Sequence, residues 1–178
     1  MEPMLATLAD APLVDANLVY EPKYDGIRAL VSVTPRRGAV DVTIASRKGN
    51  DKSKQFPEVV EALARWGKGR PPALLDGEIV ALDDNGDPIG FERLQERIHQ
   101  TSPRQVARLV GERPVAFVAF DLLRDGVDDL AELPLAARRV RLEAALAGGL
   151  DSTLRLARQE RGDGRALLEE AQIGRAHV

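Results

Sequence analysis

Glu21-Pro22-Lys23-Tyr24-Asp25-Gly26-Ile27-Arg28 sets a lysine two residues before an Asp-Gly turn, between two β-prone runs. A protonated lysine is a poor nucleophile, so a chemical role requires a site that removes its proton or depresses its pKa. Where the phosphates of a nucleotide are gathered beside it, the free amine can attack phosphorus and form a phosphoramidate. By itself K-x-D-G more often marks a solvated lysine beside a β-turn. Its weight comes from the segments that accompany it.

Working outward, Val19–Glu21 and Ile27–Val33 read as strands with Lys23–Gly26 as the bend between them. Ile27, Ala29, Val31 and Val33 share one face by the two-residue period, with Arg28, Leu30 and Ser32 on the other. Pro35–Gly38 is expected to break the run, and Val40–Ala45 to resume it as an antiparallel partner. Phe56-Pro57-Glu58 opens a helix to about Trp66, with Val59, Val60, Leu63 and Ala64 at helical spacing. Ala73–Leu82 reads as a strand closed by the turn Asp83-Asp84-Asn85-Gly86, and Val115–Leu123 as a buried strand. Phe91–Ile98 and Pro103–Val110 read as short helices, and Leu135–Leu146 as an amphipathic helix stopped at Gly148-Gly149. Leu154–Ala157 is a short strand, and Arg165–Ala171 begins a last helix. The pattern is α+β, with antiparallel sheets flanked by helices.

The 178 residues suit one domain with a real core. No apolar run approaches the roughly 18 residues of a membrane span, and the N-terminus lacks the pattern of a signal peptide. The absence of cysteine excludes disulfides and thiolate metal sites and fits a cytoplasmic protein. With only His99 and His177, histidine-based metal or triad chemistry is disfavoured. A net charge of −3 argues against a wholly basic nucleic-acid binder, although Arg36, Arg37, Arg47, Lys48, Lys52 and Lys54 could form one basic face.

Four segments accompany the lysine. Ser46-Arg47-Lys48-Gly49-Asn50 puts an arginine on a glycine-permissive turn, where it can fork onto phosphate or ribose oxygens. Leu75-Asp76-Gly77-Glu78-Ile79-Val80 places two carboxylates inside an apolar strand, which is costly without a partner or a metal. Phe117-Val118-Ala119-Phe120-Asp121-Leu122-Leu123 offers an aromatic able to stack on a flat base. Leu94-Gln95-Glu96-Arg97 is placed to support the sheet from outside.

In this order and spacing the set resembles the ATP-dependent DNA ligases, which belong with RNA ligases and mRNA-capping enzymes to the covalent nucleotidyltransferases. It is most similar to the ligase domain of the bacterial end-joining (ligase D) type. Met4-Leu5-Ala6-Thr7-Leu8-Ala9 and Leu133-Pro134-Leu135 with Arg138-Arg139 add to the match, which covers residues 3–172. The resemblance implies the ligase/capping-enzyme nucleotidyltransferase fold. It implies that Lys23 attacks the α-phosphate of ATP and that Glu21 accepts a hydrogen bond from the adenine amine. Arg28 and Arg47 correspond to arginines on the ribose or phosphates, Glu78 to the carboxylate near the ribose hydroxyls and a metal, and Phe120 to the aromatic that stacks on adenine. Asp25 either orders the lysine loop or approaches a divalent ion, Mg2+ or Mn2+. The implied partners are nicked or broken double-stranded DNA and fused or associated end-joining modules, with no membrane.

Ligases of this type continue with a strand reading like Glu-Gly-Val-Val-Ala-Lys, a Lys-x-Lys strand and an OB-fold domain, none of which occurs here. Ile173–Val178 breaks the helical periodicity and reads as translated sequencing-adapter sequence. Residues 1–172 are therefore expected to be a partial adenylation domain, incomplete at the C-terminus, with 173–178 a non-native tail. Such a polypeptide alone is expected to adenylate itself feebly or not at all. RNA ligases and capping enzymes share the lysine chemistry, and a non-catalytic nucleotide- or DNA-binding module derived from the fold is the reading of a different class.

Overall fold

The computed structural model describes residues 7, 8 and 10–175, the last three by backbone only. Most of the Met4–Ala9 segment and residues 176–178 thus lie outside the described residues. The chain divides into two compact units, residues 25–156 and residues 1–24 with 157–178.

The larger unit is built on a sheet in the order β3 (Ala39–Ser46), β2 (Ile27–Arg36), β4 (Ala73–Leu82), β6 (Val115–Asp125), β7 (Asp128–Asp129). β5 (Pro88–Ile89) pairs with β4, and β8 (Leu154–Leu156) joins β6 in parallel, the one parallel pairing among the described strands. Ala29, Val31 and Val33 are buried while Arg28, Leu30 and Ser32 are half-buried, as the two-residue period requires. Helix α1 (Pro57–Trp66) starts with proline, whose missing N–H costs nothing there, and buries Val59, Ala62, Leu63 and Trp66. Leu142, Ala145 and Leu146 of α4 (Leu135–Leu146) join the same core with Leu75, Ile79 and Phe117. Fully burying a side chain such as Leu63 contributes about 1.5–3 kcal/mol.

Strand β2 continues through Pro35 to Arg36, so the expected break is confined to Arg37-Gly38, with Gly38 at φ +82°. The ladder explains why proline is tolerated. Arg36 pairs with Ala39 beside the tight turn, so alternation turns the Pro35 nitrogen away from β3. On that other side, pairing with β4 has already ended at Val33 and Ala73.

Phe91–Ile98 is not one helix. A 3-10 turn (Phe91–Leu94) runs into the single turn α2 (Gln95–Ile98), followed by α3 (Pro103–Glu112). The segment does brace the sheet from outside, because Leu94 and Arg97 are both buried. Arg97 donates two hydrogen bonds to Glu58 (2.6 and 2.8 Å) and others to the carbonyls of Gln55 and Arg113, and lies 5.0 Å from the Phe56 ring centroid.

In the smaller unit, β1 spans Val14–Tyr20, beginning earlier than expected and stopping short of Glu21, and pairs antiparallel with β9 (Glu160–Asp163). Tyr20 explains Gly164, where a Cβ would sit 2.6 Å from its ring. Helix α5 runs from Arg165 to Arg175, past the expected end of its periodicity. No helix among the described residues is long and apolar enough to cross a membrane.

Candidate functional site

The sheet face opposite the core carries a cluster of charged side chains among apolar ones such as Val80 and Val118. On β2, Arg28 stands opposite Glu78 of β4, and two residues along β4 Asp76 stands opposite Asp121 of β6. Arg28 grips Asp76 with both arms of its fork, Nε to Oδ1 at 3.0 Å and Nη2 to Oδ2 at 2.8 Å. The Asp76 side chain is only 3% exposed, so this bidentate pair is the partner its burial demands.

Phe120 owes its position to a bulge. Ala119 pairs with Gly77 and Asp121 with Asp76, leaving Phe120 as an extra residue in β6. A bulge re-aims the inserted side chain, and Phe120 is half-buried where Val115–Ala119 and Asp121–Leu123 are buried. The Arg28 guanidinium lies 5.3 Å from its ring centroid, within cation–π range. Gly77 makes room beneath, because a Cβ there would come 2.5 Å from the Phe117 ring and 2.6 Å from the Val118 carbonyl oxygen.

Asp121 is held from α4. Arg138 Nε donates to its Oδ1 at 2.8 Å and Nη2 to its Oδ2 at 2.7 Å, both side chains being 8% exposed. The Leu122 N–H donates to the same carboxylate, and Arg138 Nη1 donates to the Leu133 carbonyl.

Burial pushes the Asp76 carboxyl up; the hydrogen bonds and charge of Arg28 pull it back, and Asp121 adds to the upward push. Glu78 is pushed from an ordinary 4.5 up to about 7, first by burial and then by Asp76 and Asp25, against a backbone hydrogen bond from Gly26 and the charge of Arg28. The ladder pairing of Ile27 with Ile79 ties the end of the lysine motif to β4. Gly26 itself lies so close that a Cβ would stand 2.2 Å from the Ile79 carbonyl oxygen. Asp25 accepts the Phe91 N–H at 3.1 Å.

The larger unit therefore brings Arg28, Glu78 and Phe120 together, with Asp25 tied in beside them. Arg47 is exposed on the turn after β3, one residue beyond the Ser46 that pairs with Ala29. In the smaller unit Lys23 and Glu21 are exposed, and Glu21 accepts a hydrogen bond from Gln159 at 2.7 Å. The basic cluster is spread out rather than gathered at one point. Arg36 and Arg37 sit at one end of β3 and Arg47 and Lys48 at the other, roughly 25 Å apart by strand rise, while Lys52 donates to the Ile98 carbonyl. Sequence reasoning missed Asp121 and Arg138 as parts of the site. The available signal was an acid in an apolar strand and an arginine on a helix.

No three His, Cys, Asp or Glu side chains among the described residues are grouped to enclose a metal. Asp25 and Glu78 supply two carboxylates, enough for an ion that takes its other ligands from phosphates and water. A half-exposed aromatic ring beside a guanidinium and a carboxylate suits a ligand with a flat base, hydroxyls and phosphates.

A family model described as "ATP dependent DNA ligase domain" matches residues 3–171. DNA ligase C2 of Mycolicibacterium smegmatis is 39% identical over 147 residues, which is 83% of this chain and 38% of the relative. The multifunctional non-homologous end joining protein LigD of Pseudomonas aeruginosa is 34% identical over 169 residues, 95% of this chain and 18% of that protein. Among solved structures, a mycobacterial DNA ligase D complexed with ATP and MES superposes with a TM-score of 0.69 at 31% identity, covering 97% of this chain and 50% of that one. The ligase domain of Mycobacterium tuberculosis LigD gives 0.71 at 29% identity, covering 97% and 51%. The chain thus spans about half or less of each of these proteins.

Proposed function

The chain belongs to the family of ATP-dependent DNA ligases, and from that premise we propose that Lys23 is the nucleophile of a self-adenylation step. Its Nζ, once deprotonated, attacks the α-phosphorus of ATP; an N–P bond forms, the bond to the β-phosphate oxygen breaks, and pyrophosphate leaves with that electron pair. In-line positioning carries most of such catalysis. The observation that carries the reading is the bulged Phe120 against Arg28, with Glu78 opposite Arg28 on the next strand. Phe120 stacks on the adenine, Glu21 accepts from its exocyclic amine, and Glu78 meets the ribose hydroxyls. Arg28 and Arg47 meet ribose or phosphate oxygens.

The carboxylates of Asp25 and Glu78 fit a Mg2+ or Mn2+ ion, which when bound supplies charge neutralisation at the phosphates. The whole protein passes the adenylate to a 5′-phosphate at a break in double-stranded DNA, and the neighbouring 3′-hydroxyl displaces AMP and seals the strand. Its place is in DNA repair and recombination, alongside fused or associated end-joining modules.

Intact-mass spectrometry after incubation with ATP and a divalent ion tests this, on the chain and on a version extended through the segments its relatives carry. We expect a gain of one AMP in the extended form, lost in Lys23→Ala. An adduct that survives Lys23→Ala, or none in the extended form, overturns the assignment.

A further inference from the structure

We propose that Arg138 is a positioning residue for the base-stacking ring of Phe120, acting through Asp121 and the β6 bulge. The inference rests on the self-adenylation reading above, and adds residues that reading does not use.

Phe120 is flanked by two arginine–aspartate pairs of different function. The first is Arg28 with Asp76, which puts a guanidinium against the ring. The second is Arg138 with Asp121, which fixes the residue after the bulge from a different element, α4. Asp76 and Asp121 face each other across β4 and β6, so two acids stand side by side and each has its own arginine. Both carboxylates are buried, and neither can be left to water. If Arg138 lets go, Asp121 is an uncompensated buried charge beside Asp76, and the nearby cation is Arg28, on which the charge of Asp121 already acts. Competition for Arg28 then loosens the guanidinium from Asp76 and from the Phe120 ring. The carbonyls that Arg138 engages, Leu133 and Ala131, are backbone groups of the segment entering α4, so the arginine also sets where that helix begins. Packing alone would be served by a leucine; a fork aimed at one carboxylate specifies orientation.

The test is a double-mutant cycle, run in whichever form labels Lys23, the chain or its extended version. Arg138→Lys keeps the charge but loses the fork, and Phe120→Leu removes the ring. Arg138→Lys is expected to raise the KM for ATP in adduct formation about tenfold with kcat changed far less, a smaller effect than the roughly hundredfold that a misplacement of about 1 Å can cost. In the Phe120→Leu background the same substitution should add little to KM, since the ring it positions is gone. Asp121→Asn keeps the shape and loses the charge; it should give a similar KM rise, and little more when combined with Arg138→Lys, and it serves as the readout if Arg138→Lys does not fold. Equal KM rises with and without Phe120, or a fall in kcat alone, overturn the inference while wild-type labelling leaves the adenylation reading standing. Absence of any Lys23 adduct in the extended wild type overturns both.

Discussion

The two faces of the central sheet are made from alternate residues of the same three strands, yet they follow opposite rules. On one face Ala29, Val31, Leu75, Ile79 and Phe117 are buried under α1 and α4. On the other, Arg28, Asp76, Glu78 and Asp121 occupy equivalent alternating positions, with Asp76 paired to Arg28 and Asp121 to Arg138. Apolar side chains would stabilise the second face at lower cost than buried ions. The difference shows that the first face was selected for packing and the second for a polar task, with Gly77 as the point where both constraints meet.

The sharpest way to break that contrast is Gly77→Ala. Its Cβ would collide with the Phe117 ring on the apolar face and with the Val118 carbonyl. We expect a loss of roughly 3 kcal/mol or more in denaturant unfolding, at the upper end of overpacking costs. A change below about 1 kcal/mol would mean the strand relaxes freely and the faces are not so tightly coupled.

Glu78→Gln probes the polar face more gently. Its folded pKa lies above the ordinary carboxyl value, so the folded chain holds this proton more tightly than the unfolded one does. The contribution is therefore fully present below 4.5 and is lost as pH rises through about 7. Urea midpoints should fall for the parent over that window and fall less for Glu78→Gln, which should be the more stable of the two at pH 8. Parallel profiles would show that Glu78 does not titrate high.

Least affected should be Arg36→Ala. The Arg36–Asp41 pair is 2.7 Å long but its side chains are 65% and 60% exposed, so we expect less than about 0.5 kcal/mol in the same assay. A larger loss would show that hairpin-tip ion pairs count as much as those of the polar face.

Much of the apolar face was legible in the sequence, because two-residue alternation in Ile27–Val33 and helical spacing in Val59–Trp66 are local signals. Pro35 was read as a break because its tolerance depends on where the neighbouring strand ends, a long-range fact. The partner of β1 was invisible for the same reason, as Val14 pairs with Asp163. On the polar face, Asp76 and Glu78 stand out in the sequence as acids within an apolar strand, and Phe120 as an aromatic. The bulge that re-aims Phe120 depends on register with β4, and the role of Arg138 depends on α4 landing beside Asp121. Neither can be read from its own stretch of chain alone.

The pairing of β1 with β9 has a consequence for how the protein is made. Glu160–Asp163 emerge from the ribosome long after Val14–Tyr20, and at about 5–20 residues per second the delay is on the order of ten seconds. Through that interval β1 has no strand partner. The stretch leading into Lys23 is thus among the last parts of the chain to gain its sheet, and it is exposed to proteases and chaperones while it waits.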